Sequence, residues 1–207
     1  YFRVQKVDHA VSVKGFQAEI DADGKDVGGL YETLGRAWVA QPTPEFIKTY
    51  YKDKDWNEMT ISAIGGDVTV TVNGVQTAVL KDDPGPREGY FGMQLHGGQD
   101  MHVLFKDIEI KELPGAVQPV IAEKIHDTAR SLPKIVPPKS LESLVESRQA
   151  PPGAIVLFDG TNLDQWQGGP WLIKDGVLES QQGDLMTKQS FGDCHLHIEW
   201  RVPDADS

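Results

Sequence analysis

The stretch Cys194-His195-Leu196-His197-Ile198-Glu199-Trp200-Arg201 constrains the fold more than any other. Read at the two-residue period of a β-strand, it puts Cys194, Leu196, Ile198 and Trp200 on one face, toward a core. His195, His197, Glu199 and Arg201 fall on the other. That polar row admits two readings. Two imidazoles, a carboxylate and a guanidinium can hold a polar ligand or move protons. They can equally be a wet sheet face of salt-bridging partners. Because His195, His197 and Glu199 share a side, a divalent metal is a further candidate for that row, and no other cofactor is called for.

The same period recurs along the chain. In Phe16-Gln17-Ala18-Glu19-Ile20-Asp21 the residues Phe16, Ala18 and Ile20 turn inward, and Gln17, Glu19 and Asp21 turn outward. Trp56 to Gly65 reads as a strand, and Asp67 to Val72 as another with its valines inward. Asn73-Gly74 then makes a two-residue hairpin turn into Val75–Leu80. Tyr90 to His96 alternates again, with Gln94 and His96 on one side. Met101 to Leu113 shifts phase between Phe105 and Ile108, which predicts a bulge at Lys106-Asp107. Gly35 to about Asp55 reads as a long loop whose aromatics, Trp38 among them, either stack on sugar rings or pack on themselves. Strands resume at Ile155–Phe158, around the Asp175-Gly176 turn, and at Leu185–Thr187. About a dozen short strands at even spacing predict an all-β sandwich of the jelly-roll type.

Between Pro114 and Gly153 the character changes. Seven prolines punctuate two weakly helical pieces, Ile121–Leu132 and Ser140–Ser147, which reads as a partly helical linker. Residues 1–113 and 154–207 are then two strand-rich pieces on either side of it. A formal charge of -11 argues against nucleic acid and anionic membrane surfaces as partners. No apolar run approaches the roughly 20 residues of a membrane span. The single cysteine, Cys194, falls on an inward position and reads as a small buried hydrophobe. The chain starts at Tyr1 without a methionine or signal peptide, so the natural beginning is expected upstream.

With the strands placed, the chain resembles the bacterial family named after 3-keto-disaccharide hydrolases, whose fold is the concanavalin-like jelly roll. One half of the pattern is Leu157-Phe158-Asp159-Gly160-Thr161, Leu163, Trp166, Trp171, Asp175-Gly176-Val177-Leu178, Leu185-Met186-Thr187, Phe191-Gly192-Asp193 and Glu199-Trp200-Arg201-Val202-Pro203. The other is Tyr1-Phe2-Arg3, Gly15-Phe16 to Asp23, Leu30-Tyr31, Trp56-Asn57, Asn73-Gly74-Val75, Gln94-Leu95-His96-Gly97 and Phe105-Lys106-Asp107-Ile108. Their order is rotated relative to the family, where the Glu-Trp-Arg-x-Pro strand precedes Tyr-Phe-Arg. Two explanations stand: one circularly permuted sandwich, which roughly 165 residues suffice to build, or the back half of one domain joined to the front half of the next. Either leaves strand edges that need a complement, in cis or by head-to-tail association with a neighbour.

The resemblance implies a carbohydrate partner, an exported (periplasmic or extracellular) protein, and cleavage of a glycoside already oxidised at C3. A base removes the acidified C2 proton, the aglycone leaves, and water adds back. The groups it implies are Glu199 or His197 as base, His96 as acid, and Arg201 and Arg3 as electrophiles, with Arg3 on the strand beside Glu199. Glu19, Gln17, Asp21, Gln94, His195, Tyr31 and Trp38 complete the expected surface. One departure matters. Where the family reads Tyr-Glu-x-Gln, this chain has Phe16-Gln17-Ala18-Glu19, so acid and amide have changed places. Two alternatives remain: a two-carboxylate glycosidase with Glu19 facing Glu199, and a non-catalytic carbohydrate-binding or self-assembling surface module.

Overall fold

Period-two alternation carries through to two stacked antiparallel sheets. The computed structural model describes residues 1–8, 13–21, 23–94, 102–113, 150–181 and 183–203. The strands before residue 114 are β1 (Phe2–Lys6), β2 (Val13–Ala18), β3 (Leu30–Thr33), β4 (Ala37–Ala40), β5 (Asn57–Ile64), β6 (Asp67–Val72), β7 (Val75–Leu80), β8 (Gly89–Met93) and β9 (Leu104–Glu112). After residue 150 come β10 (Ile155–Phe158), β11 (Trp166–Gly168), β12 (Leu172–Lys174), β13 (Val177–Glu179), β14 (Leu185–Phe191) and β15 (Cys194–Arg201). A first sheet runs β11-β14-β8-β1-β2-β3-β4 and a second β12-β13-β9-β15-β5-β6-β7, with β10 also on β9. The all-β sandwich expected from the sequence is the observed architecture.

The two pieces of chain share both sheets and interleave in the second. Strand β14 sits between β11 and β8, and β15 sits between β9 and β5, paired with β5 from Cys194↔Ala63 to Trp200↔Asn57. The edges at the break in the family order are thus paired within this chain. The expected linker helices at 121–132 and 140–147 lie outside the described residues.

The core between the sheets holds Trp200, Phe16, Phe158, Leu30, Met59, Ile108, Ile110, Leu178 and Leu196, all under 2% exposed. Trp200 is the inward residue of the opening motif. Cys194, at the other end of the same strand, is also buried, and burial pushes its thiol up to about 11, which suits packing rather than nucleophilic work. The bulge at Lys106-Asp107 is present. Asp107 adopts φ +48° and the register against β15 slips between His197 and Glu199.

The 35–55 stretch departs from the loop expected there. It holds edge strand β4 and a short helix, α1 (Pro44–Ile47), capped by Thr43, whose hydroxyl accepts from the Phe46 N–H. Asn73 shows how a hairpin turn can also act as a joint. At φ +48° its side chain accepts from Glu58 N–H and donates to Tyr50 C=O and Asn57 Oδ1. Asn73→Ala removes all three bonds and is expected to cost about 2 kcal/mol in urea unfolding. Among the described residues no helix is long and apolar enough to cross a membrane.

Candidate functional site

A sandwich has two outer faces, and the polar residues picked out from the sequence divide between them. On the first sheet, register lines up one row across all seven strands. Gln167 pairs with Met186, Met186 with Gly92, Gln17 with Tyr31, and Tyr31 with Trp38. Tyr1 joins Gly92 by backbone bonds in both directions, 2.8 and 3.0 Å, and lies opposite Gln17 because Phe2 pairs with Phe16. Phe2 and Phe16 face the core, so this row faces out. Its third position is Gly92, where the absence of a side chain leaves a floor between Met186 and Tyr1. The next row out carries Asp184, Gln94 and Glu19.

These side chains are bonded to one another. Gln17 Nε2 donates to Glu19 Oε2 at 2.6 Å, and Thr33 Oγ1 donates to Gln17 Oε1 at 3.5 Å. The Tyr1 phenol donates to Gln94 Oε1. Burial at this end of the sheet pushes the Glu19 carboxyl from 4.5 up to about 7, with the Gln17 bond pulling the other way. Burial also raises Asp184 above the ordinary carboxylate range and pushes the Tyr1 phenol up to about 12. Behind them lies a cavity of about 70 Å³, lined by Glu19, Gln94 and Tyr1 at its mouth and by Met59, Ile61 and Phe91 deeper in. A desolvated carboxyl that titrates near 7, seated among hydroxyl and amide groups, is suited to moving a proton on a polar substrate.

The row His195, His197, Glu199 and Arg201 stands on the outer face of the second sheet. His197 is 4% exposed, with Nδ1 3.6 Å from Glu58 and Nε2 3.6 Å from Glu199. Glu199 also meets Lys106 Nζ at 3.2 Å. The His197 bond, with Lys106, holds the Glu199 carboxyl below its usual range against the opposing effect of burial. Lys106 and Arg201 both lie over the Trp56 ring, at 4.6 and 5.4 Å from its centre. His195 is half-buried between Ser62 and Lys111. This matches the salt-bridging reading of the row.

Several expected neighbours are therefore corrected. Strand β1 does not lie beside β15; it runs between β8 and β2 in the other sheet. Arg3 faces neither surface. It is 2% exposed and donates to Gly65, Pro86, Ala63 and Gly192 carbonyls and to Asp193 Oδ1. Glu19 and Glu199 do not face each other across a groove, because the core separates their faces. Asp21 spends its carboxylate on the turn after β2, accepting from the Asp23 and Lys25 N–H groups. His96 lies outside the described residues. Among the described residues, no group of three or more His, Cys, Asp and Glu side chains is placed to hold a metal ion.

Glu19, Gln17, Gln94, Tyr31 and Trp38 are brought together, and the structure adds Tyr1, Thr33, Gly92 and Asp184. A glycine in the outward phase of Phe91-Gly92-Met93-Gln94 was the legible signal for the floor. Asp184 had none, since it precedes its strand.

The sequence profile of one family, described as 3-keto-alpha-glucoside-1,2-lyase-like domain, matches residues 1–111 and 153–207. No match was found among curated proteins.

Proposed function

The chain belongs to the 3-keto-alpha-glucoside-1,2-lyase-like family, and on that premise we propose that it cleaves a glycoside oxidised at C3, with Glu19 as the general base. The observation that carries this is the Gln17–Glu19 pair. A carboxyl raised to about 7 stands 2.6 Å from an amide on a sheet face rich in hydroxyl and amide groups. The exchange of acid and amide relative to the family pattern therefore keeps the two partners in contact. It moves the ionisable one a single pleat along, just past the end of β2.

In the proposed reaction the Glu19 carboxylate takes the C2 proton, which the neighbouring C3 ketone acidifies. The C–H electron pair is delocalised onto the ketone as an enolate. It then returns to form the C1–C2 double bond as the C1–oxygen bond breaks. The departing oxygen takes up a proton, and water adds across the double bond to complete hydrolysis. The Gln17 amide, through its second N–H, is a donor on this face that can meet the sugar's oxygens. An exported location belongs to the same proposal and rests on the family alone.

The test is mass spectrometry of the purified chain with a 3-keto-disaccharide, and the expected result is release of the aglycone. No release, with the sugar still bound, would favour the second reading, a non-catalytic carbohydrate-binding module. The acid–amide exchange is the observation that favours that reading.

The pH profile carries a signed prediction. A base must be ionised, and Glu19 loses its proton only near pH 7. Thus kcat/KM should rise through pH 7 and level off above it, instead of being flat from pH 5 upward. The linked stability effect has the opposite sense. Between 4.5 and about 7 the folded chain holds a proton that the unfolded chain has released. Stability contributed by this group is therefore present below 4.5 and lost as pH rises through that window.

A further inference from the structure

We infer that Trp38 is a stacking platform for a second sugar ring, and that it makes the site selective for glycosides whose two rings lie along the row. The inference rests on reading this face as the sugar site. Trp38 stands at the outer end of the row that holds Gly92, Tyr1, Gln17 and Tyr31, on edge strand β4. Two strand spacings separate it from Gln17, roughly 10 Å, about the reach of two linked pyranose rings. A ring seated over Tyr1 and Gln17, where Glu19 can reach it, thus places the next ring at the indole.

The indole is built to be offered. It is 37% exposed, whereas most of the chain's other tryptophans are buried in the core. Tyr31 meets it edge to face, with ring centres 5.4 Å apart and an 86° angle between planes. Gly29 supplies its seat: a Cβ there would lie 2.8 Å from Trp38 Cζ3. A glycine that lets a large ring settle against the backbone fixes that ring's position, and Tyr31 fixes its tilt. The remaining surface is a flat apolar patch beside polar groups, which suits a pyranose: one face of the ring is C–H and its edge is hydroxyl. Self-packing explains the contacts to Tyr31 and Gly29 but leaves the exposure without a use.

The test measures binding apart from turnover, with an unoxidised glucose disaccharide and methyl glucoside as probes, by calorimetry or ligand-observed NMR. The parent is expected to prefer the disaccharide. Trp38→Ala should lower its affinity about tenfold, to the level of methyl glucoside, whose own affinity stays put. Trp38→Phe should keep most of the preference, and Glu19→Gln all of it. A disaccharide preference that survives Trp38→Ala, or equal weakening of both sugars, would overturn the platform and leave the base assignment standing. A parent that binds neither probe would overturn the platform, and the base then stands or falls on cleavage of the 3-keto-disaccharide. Cleavage that persists in Glu19→Gln, with the preference intact, would remove the base and leave the platform.

Discussion

Glu19→Gln is expected to lower kcat/KM on a 3-keto-disaccharide by at least about 100-fold, the usual contribution of a positioned general base. Glu199→Gln should stay close to the parent. The contrast follows from the two environments. Glu19 is desolvated, which destabilises its anion and makes the carboxylate a stronger base, able near pH 7 to take a proton from a carbon acid. Glu199 lies within reach of His197 and Lys106, which stabilise its anion and make it a poor base. Gln keeps the shape of Glu and an oxygen to accept from Gln17 Nε2, so Glu19→Gln tests the ionisable group and not the packing. Its residual activity should also lose the rise through pH 7. Stopped cleavage in Glu199→Gln with full activity in Glu19→Gln would move the site to the second sheet.

Strand identity was legible and strand partnership was not, and the difference is physical. Alternation is a local property. Asn73-Gly74 and Asp175-Gly176 adopt the positive φ angles that two-residue hairpins need, and both hairpins form as read. The shifted phase around Lys106 marked a real bulge for the same reason. Alternation also told correctly that His197 and Glu199 point away from the core while Trp200 points into it. It says nothing about which sheet a strand joins, and two outer faces look alike from a single strand. Sheet order in a sandwich is set by contacts between residues far apart in the chain, such as Met186 with Gly92. So Glu19 and Glu199 read as neighbours, and Arg3 as part of their site. Short edge strands failed for another reason. Ala37-Trp38-Val39-Ala40 has too few alternations to separate from a loop, and its pairing with β3 supplies what its sequence lacks.

Arg3→Met is expected to cost about 3–5 kcal/mol of stability, the range for breaking a buried ion pair from one side. Arg3 Nη2 meets Asp193 Oδ1 at 2.9 Å, and the same oxygen accepts from the Gly65 N–H at 2.8 Å. Nη1 donates to Gly65 at 2.8 Å and Nη2 to Ala63 at 3.0 Å, so one guanidinium satisfies carbonyls at the end of β5 and in the turn beyond it. Methionine keeps the stem but leaves the half-buried Asp193 carboxylate without its cation and several carbonyls without donors. Because those donors act as a unit, Arg3→Met with Asp193→Asn should be less destabilising than the sum of the two changes. Urea unfolding measures this, and a loss below about 1 kcal/mol for Arg3→Met would contradict the structural role. Arg3 precedes the 114–153 stretch and Asp193 follows it, so the pair also clamps the two pieces of the sandwich together. A chain cut by a protease site engineered within 114–149 should therefore keep its two fragments associated on a sizing column. Arg3→Met in the same cut chain should weaken that association, and fragments that stay together equally well in both would assign the joint to the β15 pairings alone.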